Sequence, residues 1–75
     1  MTITGQQVKA ARELLGWSRE DLAVETLLST TAIEIFEADA GPPAVQTTHM
    51  IRLALEDAGV EFVEGEPGVK LRKGK

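Results

Sequence analysis

The chain has 75 residues, enough for one small domain that buries only roughly 60% of the surface its unfolded form exposes. It has no cysteine and one histidine, His49, which excludes disulfides, thiolate metal centres and any multi-histidine cage. Its net charge of −4 is unevenly divided: residues 1–69 hold four basic residues (Lys9, Arg12, Arg19, Arg52) against all twelve acidic ones, a net of −8, and residues 70–75 return +4.

The elements follow in chain order. Thr4 with Gln7 has the spacing of a capping box, and Val8, Ala11, Leu14 and Leu15 recur behind it at helical intervals. Gly16 offers a left-handed stop, so a first helix is predicted over about 5–15. Ser18 with Asp21 repeats the capping pattern and opens a short second helix to about Glu25, with Leu22 and Ala23 facing inward. Ser29 caps a third helix from Thr30, with Ile33 and Phe36 on its inner face. Asp39-Ala40-Gly41-Pro42-Pro43 is a loop. Thr47 or Thr48 is the predicted cap of a fourth helix containing Met50, Ile51, Leu53, Ala54, Leu55 and Ala58, which Gly59 ends. Val60-Glu61-Phe62-Val63 and Val69-Lys70-Leu71-Arg72 read as two strands around a turn at residues 64–68. The predicted fold class is therefore mainly α, four helices followed by a short β-hairpin. The domain division is 1–59, hairpin 60–72 and basic tail 73–75.

Catalytic chemistry finds little to work with. The sequence has no glycine-rich phosphate loop, no nucleophile with a histidine and acid in support, and no metal-ligand spacing. The pairs Glu20-Asp21 and Glu56-Asp57 are adjacent, so on a helix their side chains diverge by roughly 100°; they read as solvated faces or as complements to a helix dipole. His49 reads as a surface residue and Trp17 as a cover over the corner between the first two helices. A non-enzyme with no cofactor and no metal is expected. No apolar run approaches the ~18 residues that span a bilayer, and no signal peptide is evident, so a cytoplasmic protein with no membrane partner is expected.

A short helix, a turn of three or four residues and a second short helix form a helix-turn-helix pattern. Leu14-Leu15-Gly16-Trp17-Ser18-Arg19-Glu20-Asp21-Leu22-Ala23 resembles the entry to the second helix of Cro/C1-type (XRE-family) DNA-binding domains. Residues 29–37, with Ile33 and Glu37, resemble their third helix, and residues 52–62 resemble the closing helix and strand of small single-domain members. The similarity runs over about residues 6–72. It implies a lambda-repressor-like fold, double-stranded DNA as partner and a role in transcription regulation. It also implies that Thr30, Thr31, Glu34 and Ile35 face base edges. Ser29 and Arg19 would hold phosphate, Arg19 standing where the family commonly has glutamine. Lys9 and Arg12 would assist from the flank.

Three departures from the family pattern stand out. Leu27 occupies the turn position where glycine is usual, and leucine there either costs on the order of 1 kcal/mol at φ > 0 or forces a different turn. Residues 20–51 contain no Lys or Arg but six acidic residues, which repel the phosphates that supply most nonspecific affinity. Ile35 replaces a usually polar groove-facing side chain; it can pack at the core edge, meet a thymine methyl or enter a protein interface.

Two readings follow. In one the protein is a sequence-specific DNA-binding regulator, its basic tail either a solubilising end or a phosphate-gripping arm. In the other the helix-turn-helix serves protein contact through its acidic third helix, as an antiactivator or accessory subunit. Glu34 and Asp39 discriminate: clustered around Thr30 and Thr31 they favour protein contact, and pointing aside they favour DNA. The hairpin, marginal in isolation, either packs on its own helices or pairs across a two-fold axis to give a homodimer through residues 60–72.

Overall fold

The computed structural model describes residues 3–39, 44–63 and 68–72. Parts of the predicted loop (40–43), turn (64–67) and basic tail (73–75) lie outside these described residues. Four helices, α1 (Gly5–Leu15), α2 (Arg19–Thr26), α3 (Thr30–Glu37) and α4 (Val45–Asp57), precede an antiparallel pair, β1 (Val60–Phe62) and β2 (Val69–Leu71). The fold is mainly helical with a short C-terminal hairpin, as the sequence pattern indicates.

Local chemistry sets the helix ends. Thr4 and Gln7 complete a capping box on α1, and Ser18 and Asp21 complete one on α2, each satisfying amides that the first turn leaves unpaired. Ser29 Oγ accepts from the amide of Ala32 at 3.1 Å to cap α3. Gly16 ends α1 in the left-handed region, at φ 72°, where the absence of Cβ removes the steric penalty. Leu27 ends α2 in that same region, at φ 61° and ψ 28°. Leucine thus adopts the glycine-type turn instead of forcing a different one.

Helix α4 begins earlier than its predicted Thr47 or Thr48 cap. Its first residue is Val45, and Ala44 provides no side-chain cap. Capping chemistry marks a favourable start but does not forbid an earlier one. The first amides here lie at an exposed end, where water satisfies them. The Thr48 hydroxyl instead donates to the carbonyl of Ala44, 3.2 Å away.

The core joins all elements. Val8 and Ala11 of α1, Leu22 and Ala23 of α2, Ile33 and Phe36 of α3, and Ile51 and Leu55 of α4 are buried together with Ile3 and with Val60 and Val69 of the hairpin. Trp17 packs half-buried against this cluster at the α1–α2 corner. Leu14, expected in the apolar row of α1, is 43% exposed. The inward stripe runs through Val8, Ala11, Arg12 and Leu15, and Leu14 falls roughly 100° off its axis. Gly5 sits where α1 meets the end of α3; a Cβ there would run into the carbonyl oxygens of Phe36 and Glu37.

The hairpin pairs Val60 with Leu71, Glu61 with Lys70 and Phe62 with Val69. Its Val60 and Val69 side chains are buried against its own helices, and Gln7 Nε2 of α1 donates to the carbonyl of Gly68 at 3.1 Å. Among the described residues, no helix is long and apolar enough to cross a membrane.

Candidate nucleic-acid interface

The α2–turn–α3 unit presents the side chains that the sequence singles out. Thr31, Glu34 and Ile35 are exposed on α3 and Thr30 is half-exposed. Thr30 and Glu34 share one face of the helix, as do Thr31 and Ile35, because each pair is four residues apart. Ile35 is 54% exposed, so the core edge takes only part of it. Ser29 is exposed at the α3 N-terminus, its hydroxyl oxygen occupied by the capping bond.

Arg19 and Arg12 converge on Glu37. Arg12 donates from Nε to Glu37 Oε2 at 2.6 Å, from Nη2 to Oε1 at 3.1 Å and from Nη1 to the carbonyl of Trp17 at 3.0 Å. Its side chain is 10% exposed and that of Glu37 2%. Arg12 therefore belongs to the interior, and the expected flank contact falls to Lys9 alone, which is exposed on α1. Arg19 donates from Nε to Glu37 Oε1 at 3.1 Å with 43% of its side chain exposed. Its two terminal amino groups have no protein partner among the described residues, which leaves donors of the kind that suits phosphate.

Around Arg19 lies a recess of about 390 Å³ lined by Arg12, Ser18, Arg19, Glu20, Thr30 and Glu34. The beginnings of α2 and α3 thus share one opening with Arg19. Counting Glu37, two guanidinium cations face three carboxylates there, a net of −1. The two discriminating acids part company. Glu34 stands beside Thr30 in the recess, whereas Asp39 turns aside and accepts the amide of Gly5 on its Oδ1 at 3.1 Å, capping α1.

The family pattern makes Glu37 a structural position of the third helix, but its role as the hub of two arginines emerges in the structure, as does the place of Glu20 at the recess. A signal for the first was available. Arg12 lies on the apolar stripe between Val8 and Leu15, and a buried guanidinium requires a buried acid. Nothing local pairs Glu20 with Glu34, because that proximity arises from how α2 packs on α3.

The hairpin register fixes its outward groups. Glu61 and Lys70 face each other in the hydrogen-bonded positions, as the flanking bonds from Val63 N to Gly68 O and from Arg72 N to Gly59 O require. The amides and carbonyls of Val60, Phe62, Val69 and Leu71 consequently point along the two outer edges. Arg72 also donates from Nη2 to the carbonyl of Glu56 at the end of α4.

No protein-family model matches this sequence, and no curated protein is significantly similar to it.

Proposed function

We propose that the protein is a sequence-specific DNA-binding regulator of the Cro/C1 type, acting through α2 and α3. The observation that carries this reading is the shared opening of Ser18, Arg19 and Thr30, with the partly exposed guanidinium fork of Arg19 beside the start of α3. A phosphate at that fork would bring Thr30 and Thr31 toward base edges, where hydroxyls serve as donor or acceptor and methyls meet thymine. Arg19, Ser29 and Lys9 supply the phosphate contacts, and Glu34 and Ile35 border the base-reading face. With so few cations, affinity is modest and its salt dependence shallow, since the slope scales with the number of phosphates neutralised.

A homodimer through residues 60–72 fits this reading. Pairing along an outer hairpin edge would use the unpaired groups there, and two recognition helices about one DNA turn apart, ~34 Å, would read a palindrome. Sedimentation at rising concentration checks it; a monomer throughout removes it.

One observation favours a second reading, protein contact in place of DNA. Glu34 lines the recess together with Thr30, and Val24, Leu27 and Ile35 are exposed on a unit whose residues 20–51 contain no Lys or Arg. A basic, partly apolar partner suits such a surface. Selection of random duplexes by the folded protein at low salt separates the two. Enrichment of a palindromic motif establishes DNA reading, and its half-site spacing reports the dimer. No enrichment turns the reading to protein contact.

A further inference from the structure

We infer that Glu20 and Glu34 are a charge gate on Arg19, setting how tightly the domain grips phosphate without reading any base. The inference rests on the DNA-binding reading above. Arg19 is the one guanidinium on the α2–α3 unit, since residues 20–51 contain no Lys or Arg. Its Nε donates to the buried Glu37 carboxylate at 3.1 Å, which favours the position beside the recess. A phosphate that Arg19 takes while bonded to Glu37 comes to the recess it lines, and the exposed residues Glu20 and Glu34 line that same recess.

A carboxylate only accepts hydrogen bonds, so neither acid can donate to a phosphate oxygen, and both repel it. All three residues line one open recess, and charges closer than a Debye length, ~10 Å at 0.1 M salt, are only partly screened from one another. The net of −1 in the recess rises to zero when one of the two carboxylates is made neutral and to +1 when both are. Two other roles can be told apart from this one. Glu20 also complements the α2 dipole, which affects folding stability alone. Glu34 would act on base preference only if it touched a base, which changes the ranking of sequences and not their common affinity.

The test is titration of labelled duplexes of several unrelated sequences at low ionic strength with the full chain, followed by anisotropy. The proteins are wild type, Glu34→Gln, Glu20→Gln/Glu34→Gln, and each of these with Arg19→Ala, all confirmed folded by circular dichroism. Glu34→Gln is expected to tighten binding about three- to tenfold for every duplex alike, from relief of Coulomb repulsion in a partly solvated site. The double substitution should add to it, and Arg19→Ala should abolish most of the gain. Unchanged affinity in the Gln variants of a wild type that binds overturns the gate and leaves the DNA reading intact. So does a gain that survives Arg19→Ala in full. Absence of binding by every variant overturns the DNA reading and the gate with it.

Discussion

Arg12 and Glu37, 25 residues apart in the chain, meet as a two-point ion pair at 2.6 and 3.1 Å and fasten α1 to the end of α3. The same carboxylate takes a single bond from Arg19, whose side chain is 43% exposed. One acid thus has a buried partner and a half-solvated one, and the two should differ sharply in energetic weight. Removing Arg12 leaves the Glu37 charge buried with only one remaining partner. Arg12→Ala is expected to cost about 3–5 kcal/mol, comparable with the whole stability of a domain this small. Arg19→Ala removes a partly exposed pair and should cost about 1 kcal/mol or less. Urea unfolding of both variants measures the difference, and equal losses would contradict this division.

Gly5 supplies the next prediction. Alanine normally stabilises a helix relative to glycine by about 1 kcal/mol. Here the added methyl meets the Phe36 and Glu37 carbonyls, rigid backbone that cannot move without disturbing the Glu37 side chain behind it. Gly5→Ala should therefore destabilise by about 2–3 kcal/mol, as overpacking of a close contact does. A thermal melt that rises on this substitution would show that α1 can slide away from α3.

Leu27 carries the opposite expectation. It holds φ 61° with 88% of its surface exposed, so a smaller residue loses little packing and gains backbone freedom of conformation. Leu27→Gly should stabilise by on the order of 1 kcal/mol, raising Tm by roughly 4–8 °C in a domain of this size. Leu27→Ala keeps the Cβ penalty and should be close to neutral. Asp39, also left-handed at φ 53°, gives a contrast: Asp39→Gly gains the same backbone relief but loses the cap on the Gly5 amide. A Leu27→Gly melt no higher than wild type would mean that Leu27 makes a contact worth its strain.

These contacts also define what the sequence could tell. Capping boxes at Thr4–Gln7 and Ser18–Asp21 and the stop at Gly16 are local chemistry, and they mark helix ends reliably. The inward faces of α2 and α3 follow from spacing alone, through Leu22, Ala23, Ile33 and Phe36. The start of α4 was less legible, because Thr47 and Thr48 have capping chemistry that an earlier start leaves unused. The recess was the least legible part. Arg19 could be singled out by its position ahead of α2, but its bond to Glu37 spans 18 residues, and the approach of Glu20 to Glu34 depends on tertiary packing. Charge counts along the chain give the sign of that surface and not which acids surround the arginine.

The hairpin belongs to the core as well as to any dimer. Val60 and Val69 are 0% and 4% exposed, and burying each contributes about 1.5–3 kcal/mol. Truncation after Gly59 should therefore unfold the domain instead of yielding a folded monomer. Dimerisation is better probed at Leu71, which is 47% exposed and has its backbone on an outer edge. Leu71→Asp should leave the circular dichroism spectrum unchanged while lowering the sedimenting mass of any dimer. A truncated chain that stays folded would mean that the hairpin is an appendage.

The roles proposed for Arg19 and Thr31 on DNA separate by the kind of specificity each would confer. Phosphates repeat identically along any duplex, so a residue that touches them adds affinity without sequence information. Arg19→Ala should weaken binding to all duplexes by a common factor and make the salt dependence shallower by about one unit of slope. Thr31 is exposed at the start of α3, and in the proposed DNA-binding mode its methyl would meet a thymine methyl while its hydroxyl serves as donor or acceptor. Thr31→Ala should therefore change the ranking of sequences by about 1–3 kcal/mol at one base pair, with little change in salt slope. Binding isotherms on the selected motif and on single-base variants, each at several salt concentrations, read both quantities. Equal, sequence-independent losses from the two substitutions would mean that Thr31 also sits on the backbone, and the base-reading face would then have to be sought nearer Ile35.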